Sequence, residues 1–400
     1  MSNSRVLEAP GRTAPLAATV VTVSLMGVLV VGQMYVTIPL MPRIADAWNV
    51  DTASAAVSTT AFALAHAVGS LLSGPLSDRW GRRTVMVGNV VAMAGVTALV
   101  PLASDLGTGV VLRSFQGLFA GSFIPMAYAY LHARVAERSV PLALTVVSAC
   151  MGATVVVGQV QAQLLEATLG WTSVFWGTAP LLLAGAAVTW RVLLPDPPPP
   201  PSANRTAVRL DGVRGAFTAR VVPLYLAILV GAGALTALYT GVQLYGPPEV
   251  GRDGSAMLAL RSAALPALLV AVLLAPVLGR FRATRRAYGA FAVTLVAMIP
   301  AAAGGDRAVL LGAALFVFML GFSTLGPALI QTVGGQAGAA QTTAIAVYGF
   351  TLNVGAGTGA QLAPLFSDFG SLAGALAAAL AGAACCVLLS ARHGRRDLTN

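Results

Sequence analysis

The chain contains no lysine, and only 10% of its 400 residues carry charge. Soluble globular domains carry about 25% charged residues, so a water-exposed globule is excluded. The arginines do not gather on one face either. The net charge of +10 comes from 24 basic side chains against 14 acids, spread over short segments, which excludes a nucleic-acid-binding surface. Cysteine is scarce: Cys150, Cys385 and Cys386 are odd in number, and two are adjacent. That pattern is no disulfide framework and no metal set. His66, His132 and His393 are far apart in the chain, and no H-E-x-x-H, acid pair or nucleophile–base arrangement occurs. Neither an enzyme, a metal centre nor a bound cofactor is expected.

What the chain has is hydrocarbon, at 57% hydrophobic residues. Apolar runs of 18 or more residues recur from Leu16 to Leu389, each able to cross roughly 30 Å of lipid. The polar start with Arg5 and Arg12 resembles a leader, but the run from Leu16 to Leu40 is too long for one and has no cleavage site. It reads as a retained first helix. Apolar runs and punctuation predict twelve spans. Six fall near 16–40, 54–73, 84–103, 107–130, 142–165 and 171–194, and six near 221–245, 255–278, 288–303, 308–330, 341–365 and 370–389.

Between the two sets lies "PDPPPPPSANR", whose prolines cannot continue a helix and favour an extended tether. The expected organisation is a six-helix bundle over 1–194, a cytoplasmic linker over 195–220 and a second six-helix bundle over 221–400. Arginine resists translocation. With the N-terminus inside, the inner segments hold 19 arginines, the outer ones hold four (Arg43, Arg252, Arg261, Arg307), and Arg113 lies within a span. Both termini are therefore expected in the cytoplasm.

The halves echo each other. "GPLSDRWGRR" follows the second span and "APVLGRFRATRR" the eighth; Pro75 matches Pro276, Arg79 matches Arg280 and Trp80 matches Phe281 at one common offset. Parallel six-helix repeats are a known way to build a transporter.

The first of these stretches, G-x-L-x-D-R-x-G-R-R between the second and third of twelve spans, resembles the signature loop of the major facilitator superfamily. The resemblance implies an all-α membrane protein of twelve helices in two bundles, cycling by alternating access. It implies a conformational latch at Gly74, Asp78, Arg79, Gly81, Arg82 and Arg83, with Asp78 facing the N-terminal end of the eleventh helix. The glycines would allow close helix approach and a sharp turn. "RSFQGLFAG" in the fourth span is similar to the family's R-x-x-Q-G motif, which implies a proton-coupling role for Arg113 beside Gln116 and Gly117. The family's G-x-x-x-G-P-x-x-G-G of the fifth helix is reduced here to Gly152 and Gly158, without proline or glycine pair.

No Asp or Glu lies deep in a span, although an intramembrane carboxylate is the usual proton carrier. His66 in the second span is the alternative titratable group. Candidate cavity residues are polar or aromatic side chains that hydrocarbon would exclude. They are Gln33, Tyr35, Gln116, Phe119 and Gln159 in the first half, then Tyr239, Gln243, Phe318, Tyr348 and Asn353 in the second. Together they suit a small amphiphilic organic molecule. The expected function is proton-coupled efflux of such a molecule across an inner (plasma) membrane, by a monomer whose partners are cargo, protons and the lipid bilayer. Uptake or facilitated diffusion of a metabolite or sugar, and a non-transporting receptor on the same fold, are the alternatives.

Overall fold

The computed structural model describes residues 14–195, 215–247, 250, 254–303 and 307–396. Among them the chain is helical, with no strand. The linker prolines from 196 onward lie outside the described residues.

The first half runs through α1 (Leu16–Gly32), α2 (Thr37–Trp48), α3 (Val57–Trp80), α4 (Arg82–Leu99), α5 (Leu106–Gly121), α6 (Phe123–Arg134), α7 (Val140–Leu169) and α8 (Trp171–Val192). The second runs through α9 (Val222–Tyr245), α10 (Gly254–Ser262), α11 (Leu265–Leu278), α12 (Ala283–Ala303), α13 (Ala308–Ala337), α14 (Gln341–Leu362) and α15 (Phe369–Arg396). Three spans are interrupted pairs: α1 with α2, α5 with α6, and α10 with α11.

The interruptions have a common cause. Proline has no N–H to give the carbonyl four residues back, and Pro39, Pro125 and Pro266 each sit just beyond a break. The freed carbonyls find other partners. Ile38 N–H donates to Tyr35 O at 3.2 Å, and Ser70 Oγ of α3 donates to Gly121 O at 2.8 Å.

Eleven described helical segments are long and apolar enough to span a membrane. The twelfth expected span, α14, is a helix of 22 residues that falls short by composition, being rich in Gly, Thr and Gln. Packing explains its polarity: α14 lies against α9 of its own half and α3 of the other, so protein covers faces that lipid covers elsewhere. Gly355 and Gly359 make this possible, since side chains there would stand 2.2 and 2.1 Å from the carbonyl oxygens of Leu229 and Gly233.

The packing repeats between halves. Spans one and five (α1, α7), two and four (α3, α5) and three and six (α4, α8) pair in the first half. Spans seven and eleven (α9, α14), eight and ten (α11, α13) and nine and twelve (α12, α15) pair in the second. The seam obeys the same symmetry. Span two meets eleven (α3 on α14), and span five meets eight (α7 on α10 and α11).

Several of the scarce acids sit at helix ends on the face assigned to the outside. Asp51, Asp105 and Asp368 cap helix starts, accepting from the backbone N–H of Ser54, Thr108 and Ser371 at 2.9, 2.9 and 2.8 Å. Glu166 pairs with Arg43 at 2.9 Å.

Candidate functional site

Arg113 belongs to α5, one turn before Gln116 and Gly117, and is fully buried. A side chain at 117 would stand 2.1 Å from Phe62 O, so only glycine lets α5 lie this close to α3. That closeness places the Arg113 guanidinium 4.5 Å from the centre of the Phe62 ring. Arg113 also donates to Gln33 O at 2.8 Å, at the break between α1 and α2, and to Gln116 Oε1. Gln116 Nε2 in turn donates to Thr97 Oγ1 at 2.8 Å and, at 3.4 Å, to Gln33 Oε1. Four spans thus converge on one buried cation, and no carboxylate takes part.

A second buried cation was not anticipated. Arg261, counted from the sequence among the outer-face arginines, is 1% exposed within α10. Its Nη1 donates to Gln163 Oε1 of α7 at 2.9 Å, and its Nη2 donates to Gln243 Oε1 of α9. The signal was present: Arg261 lies several residues inside an apolar run, as Arg113 does. Gln163 belongs to the first half and Gln243 to the second, so Arg261 ties the halves together. Its symmetry counterpart is Thr60 Oγ1 of α3 donating to Gly357 O of α14 at 2.7 Å. By the helical rise of about 1.5 Å per residue, the four residues of these bonds lie about 5–10 Å in from the outer helix ends.

The signature stretch is not an open loop. Residues 74–80 are the last turns of α3, and the reversal is Gly81 alone, with φ 81°, a conformation glycine adopts without strain. No described heavy atom lies within 4 Å of where a side chain on Gly74 would stand, so Gly74 makes no close helix approach here. Arg83 stacks 3.9 Å from the centre of the Trp190 ring and donates to Trp190 O, fastening the turn to α8. Arg79 lies 5.3 Å from the Trp80 ring centre; Arg82 begins α4. The Asp78 side chain lies outside the described residues.

His66 is buried on α3, stacked on Phe62 at 6.0 Å, with neither ring nitrogen hydrogen-bonded. The remaining candidates divide. Gln33 and Gln116 join Arg113; Gln243 joins Arg261, with Gln159 one helical turn inside Gln163 on α7 and Tyr239 one turn inside Gln243 on α9. Tyr348 donates to Gly326 O at 3.2 Å and Asn353 to Gly349 O at 2.8 Å, both within their own half. Phe318 stacks on Phe322, and Phe119 on Phe115, each pair at 6.5 Å. Tyr35 is buried at the first break. An open groove of about 430 Å³ lies elsewhere, between α7, α8 and α11. Its walls, such as Val157, Leu164 and Leu265, are almost wholly hydrocarbon and offer no charge to a polar cargo.

This arrangement of broken helices, paired halves and buried cations has recognisable relatives. The chain is 31% identical over 153 residues to a 4-hydroxybenzoate transporter of Pseudomonas putida, covering 38% of this chain and 34% of that protein. It is 32% identical over 138 residues to a tetracenomycin C resistance and export protein of Streptomyces glaucescens, covering 34% and 26%. These matches span only about a third and a quarter of those relatives. A chloramphenicol resistance protein of Streptomyces lividans matches along most of its length, 28% identical over 356 residues, 87% of this chain and 88% of that one. Among solved structures, a bacterial homologue of the human lysosomal transporter Spinster, in an inward-facing and unoccupied conformation, superposes with a TM-score of 0.64. It does so at 14% identity, covering 94% of this chain and 95% of that one. The profile of the Major Facilitator Superfamily matches residues 23–360, and the chain belongs to that family of membrane transporters.

Proposed function

We propose that this transporter is a proton-linked exporter of small amphiphilic organic molecules, working by alternating access in a bacterial inner membrane with both termini inside. Its moving parts are the bundles 1–194 and 221–400, tethered by 195–220. The observation that carries this reading is the seam. Two symmetry-related hydrogen bonds, Thr60 to Gly357 and Arg261 to Gln163, join the halves near one set of helix ends. Rocking must part these two bonds and the packed α3–α14 faces beside them. The resistance and export relatives favour outward movement of drug-like cargo.

Asp78 acts as the inner-face latch of the opposite state, with Arg79, Arg82 and Arg83 anchoring its turn. Arg113 couples protons to movement, and His66, buried without a hydrogen bond, is the titratable group in reach of the same α3–α5 contact. The likeness to a 4-hydroxybenzoate transporter favours a second reading, uptake of a metabolite.

Purified protein in liposomes with an imposed pH gradient separates the two. Chloramphenicol accumulation that follows the gradient supports antiport. Equilibrium levels of chloramphenicol and 4-hydroxybenzoate that ignore the gradient overturn proton coupling.

A further inference from the structure

We propose that Arg261 recognises an anionic cargo through a carboxylate group, with the Tyr239 hydroxyl as companion donor. This deepens the transport reading and rests on it for the statement that the bound molecule is the one carried.

Arg261 is a buried charge solvated only by dipoles. Two of its nitrogens rest on the side-chain oxygens of Gln163 and Gln243, and its Nε has no partner. No carboxylate lies within 4 Å among the described residues, whose one ion pair is Arg43 with Glu166 on the exposed rim. A buried cation is normally paired, and an ionisable group within the membrane marks a substrate or ion pathway. One turn deeper, the buried Tyr239 hydroxyl on α9 and Gln159 Oε1 on α7 also bond nothing. Unused polar atoms therefore stand one turn inside both glutamine partners of the guanidinium. Arg113 shares the unpartnered Nε, but its shell lies wholly in the first half and includes the Phe62 ring, so rocking does not remake it.

The chemistry selects the cargo. A neutral molecule would offer amide or hydroxyl oxygens, no better than the two glutamines already there. A carboxylate matches the guanidinium fork with two charge-assisted hydrogen bonds and accepts a third from Tyr239. Taking the fork from Gln163 breaks one of the hydrogen bonds described across the seam, so an anionic cargo also loosens the outer closure.

The test is equilibrium binding to the full-length protein in nanodiscs, using benzoate and hexanoate, each against its neutral amide. Wild type should prefer the acids by about 10–100-fold, the range for hydrogen bonds to a charged group. Arg261→Gln should abolish the preference, and Tyr239→Phe should reduce it several-fold while Arg261→Lys keeps part of it. Equal binding of acid and amide by wild type, no binding of either, or an unchanged ratio in Arg261→Gln overturns the proposal. If Arg261→Gln does not fold, an unchanged ratio in both Tyr239→Phe and Arg261→Lys overturns it instead. Binding needs no gradient, so failure here leaves proton-linked export standing, and failure of the gradient experiment leaves this site standing.

Discussion

The Arg113 guanidinium sits 4.5 Å from the centre of the Phe62 ring, and the carbonyl of that same Phe62 occupies the space a side chain on Gly117 would need. The two contacts are one design. Removing the side chain at 117 brings α5 against α3, and the ring then lies under the cation, where a desolvated cation–π contact contributes about 2 kcal/mol.

Gly117→Ala should therefore destabilise the fold. Its methyl would meet a backbone oxygen at 2.1 Å, which cannot yield by a rotamer change, and overpacking of this kind costs about 1–3 kcal/mol. Melting in detergent should fall clearly below wild type. Gly88→Ala, with nothing within 4 Å of the new methyl, should not fall. Equal melting of the two variants would contradict this packing.

Arg113→Ala should insert normally yet lose its response to a pH gradient in liposomes. Transport with an unchanged pH dependence would remove Arg113 from proton coupling. The same measurement on His66→Gln decides whether the imidazole carries the proton.

Asp78→Asn keeps the size of the side chain and removes its charge. It should leave expression and insertion intact while slowing transport at least about tenfold, the effect of losing about 1.4 kcal/mol in one state of the cycle. Full transport by a normally expressed variant would refute the latch.

Thr60→Val keeps the shape of the side chain and removes its hydrogen bond to Gly357 O. The loss of about 1 kcal/mol should shift the balance of states roughly fivefold toward separation of that seam. A cysteine in place of Ala63, which faces Gly357 across the seam, in a background lacking Cys150, Cys385 and Cys386, should then react faster with a membrane-impermeant maleimide from the outer face. An unchanged rate would show that the bond does not hold the seam.

Hydrogen bonds from the backbone and side chain of Thr108 hold the Asp105 carboxyl below its ordinary range. A carboxyl whose pKa is lower folded than unfolded stabilises the folded state fully above the unfolded value of about 3.9. That contribution is lost as pH falls through the folded value. Wild type should thus melt above Asp105→Ala from pH 8 to 5, and the gap should close below about pH 4. A gap that persists or widens in acid would show that the charge is not what caps this helix.

Much of this was readable in the chain itself. Lipid exposure writes itself as long apolar runs, so twelve spans could be read, and eleven of them are long, apolar helices among the described residues; α14 is the more polar one because protein covers much of it. Gln33, Arg113 and Gln116 could be chosen individually, because a polar group inside an apolar run has no lipid partner. Their company could not. Phe62 and Thr97 look like ordinary helix residues until packing brings them to the guanidinium. Arg261 was misplaced because counting arginines by side treats any near a helix end as a loop anchor.

By itself, the sequence determined that this chain lives in a membrane, that its two halves repeat, and that one turn carries a transporter's signature. These follow from composition and from short motifs, and none needs residues of distant spans to touch. Only the tertiary structure decided that Gly81 alone makes that turn, that Thr60 and Arg261 hold the seam at symmetry-related places, and that two guanidiniums are buried with no acid of the described residues beside them. Those depend on side chains from distant spans meeting, and helix packing, which no local stretch encodes, sets the meeting.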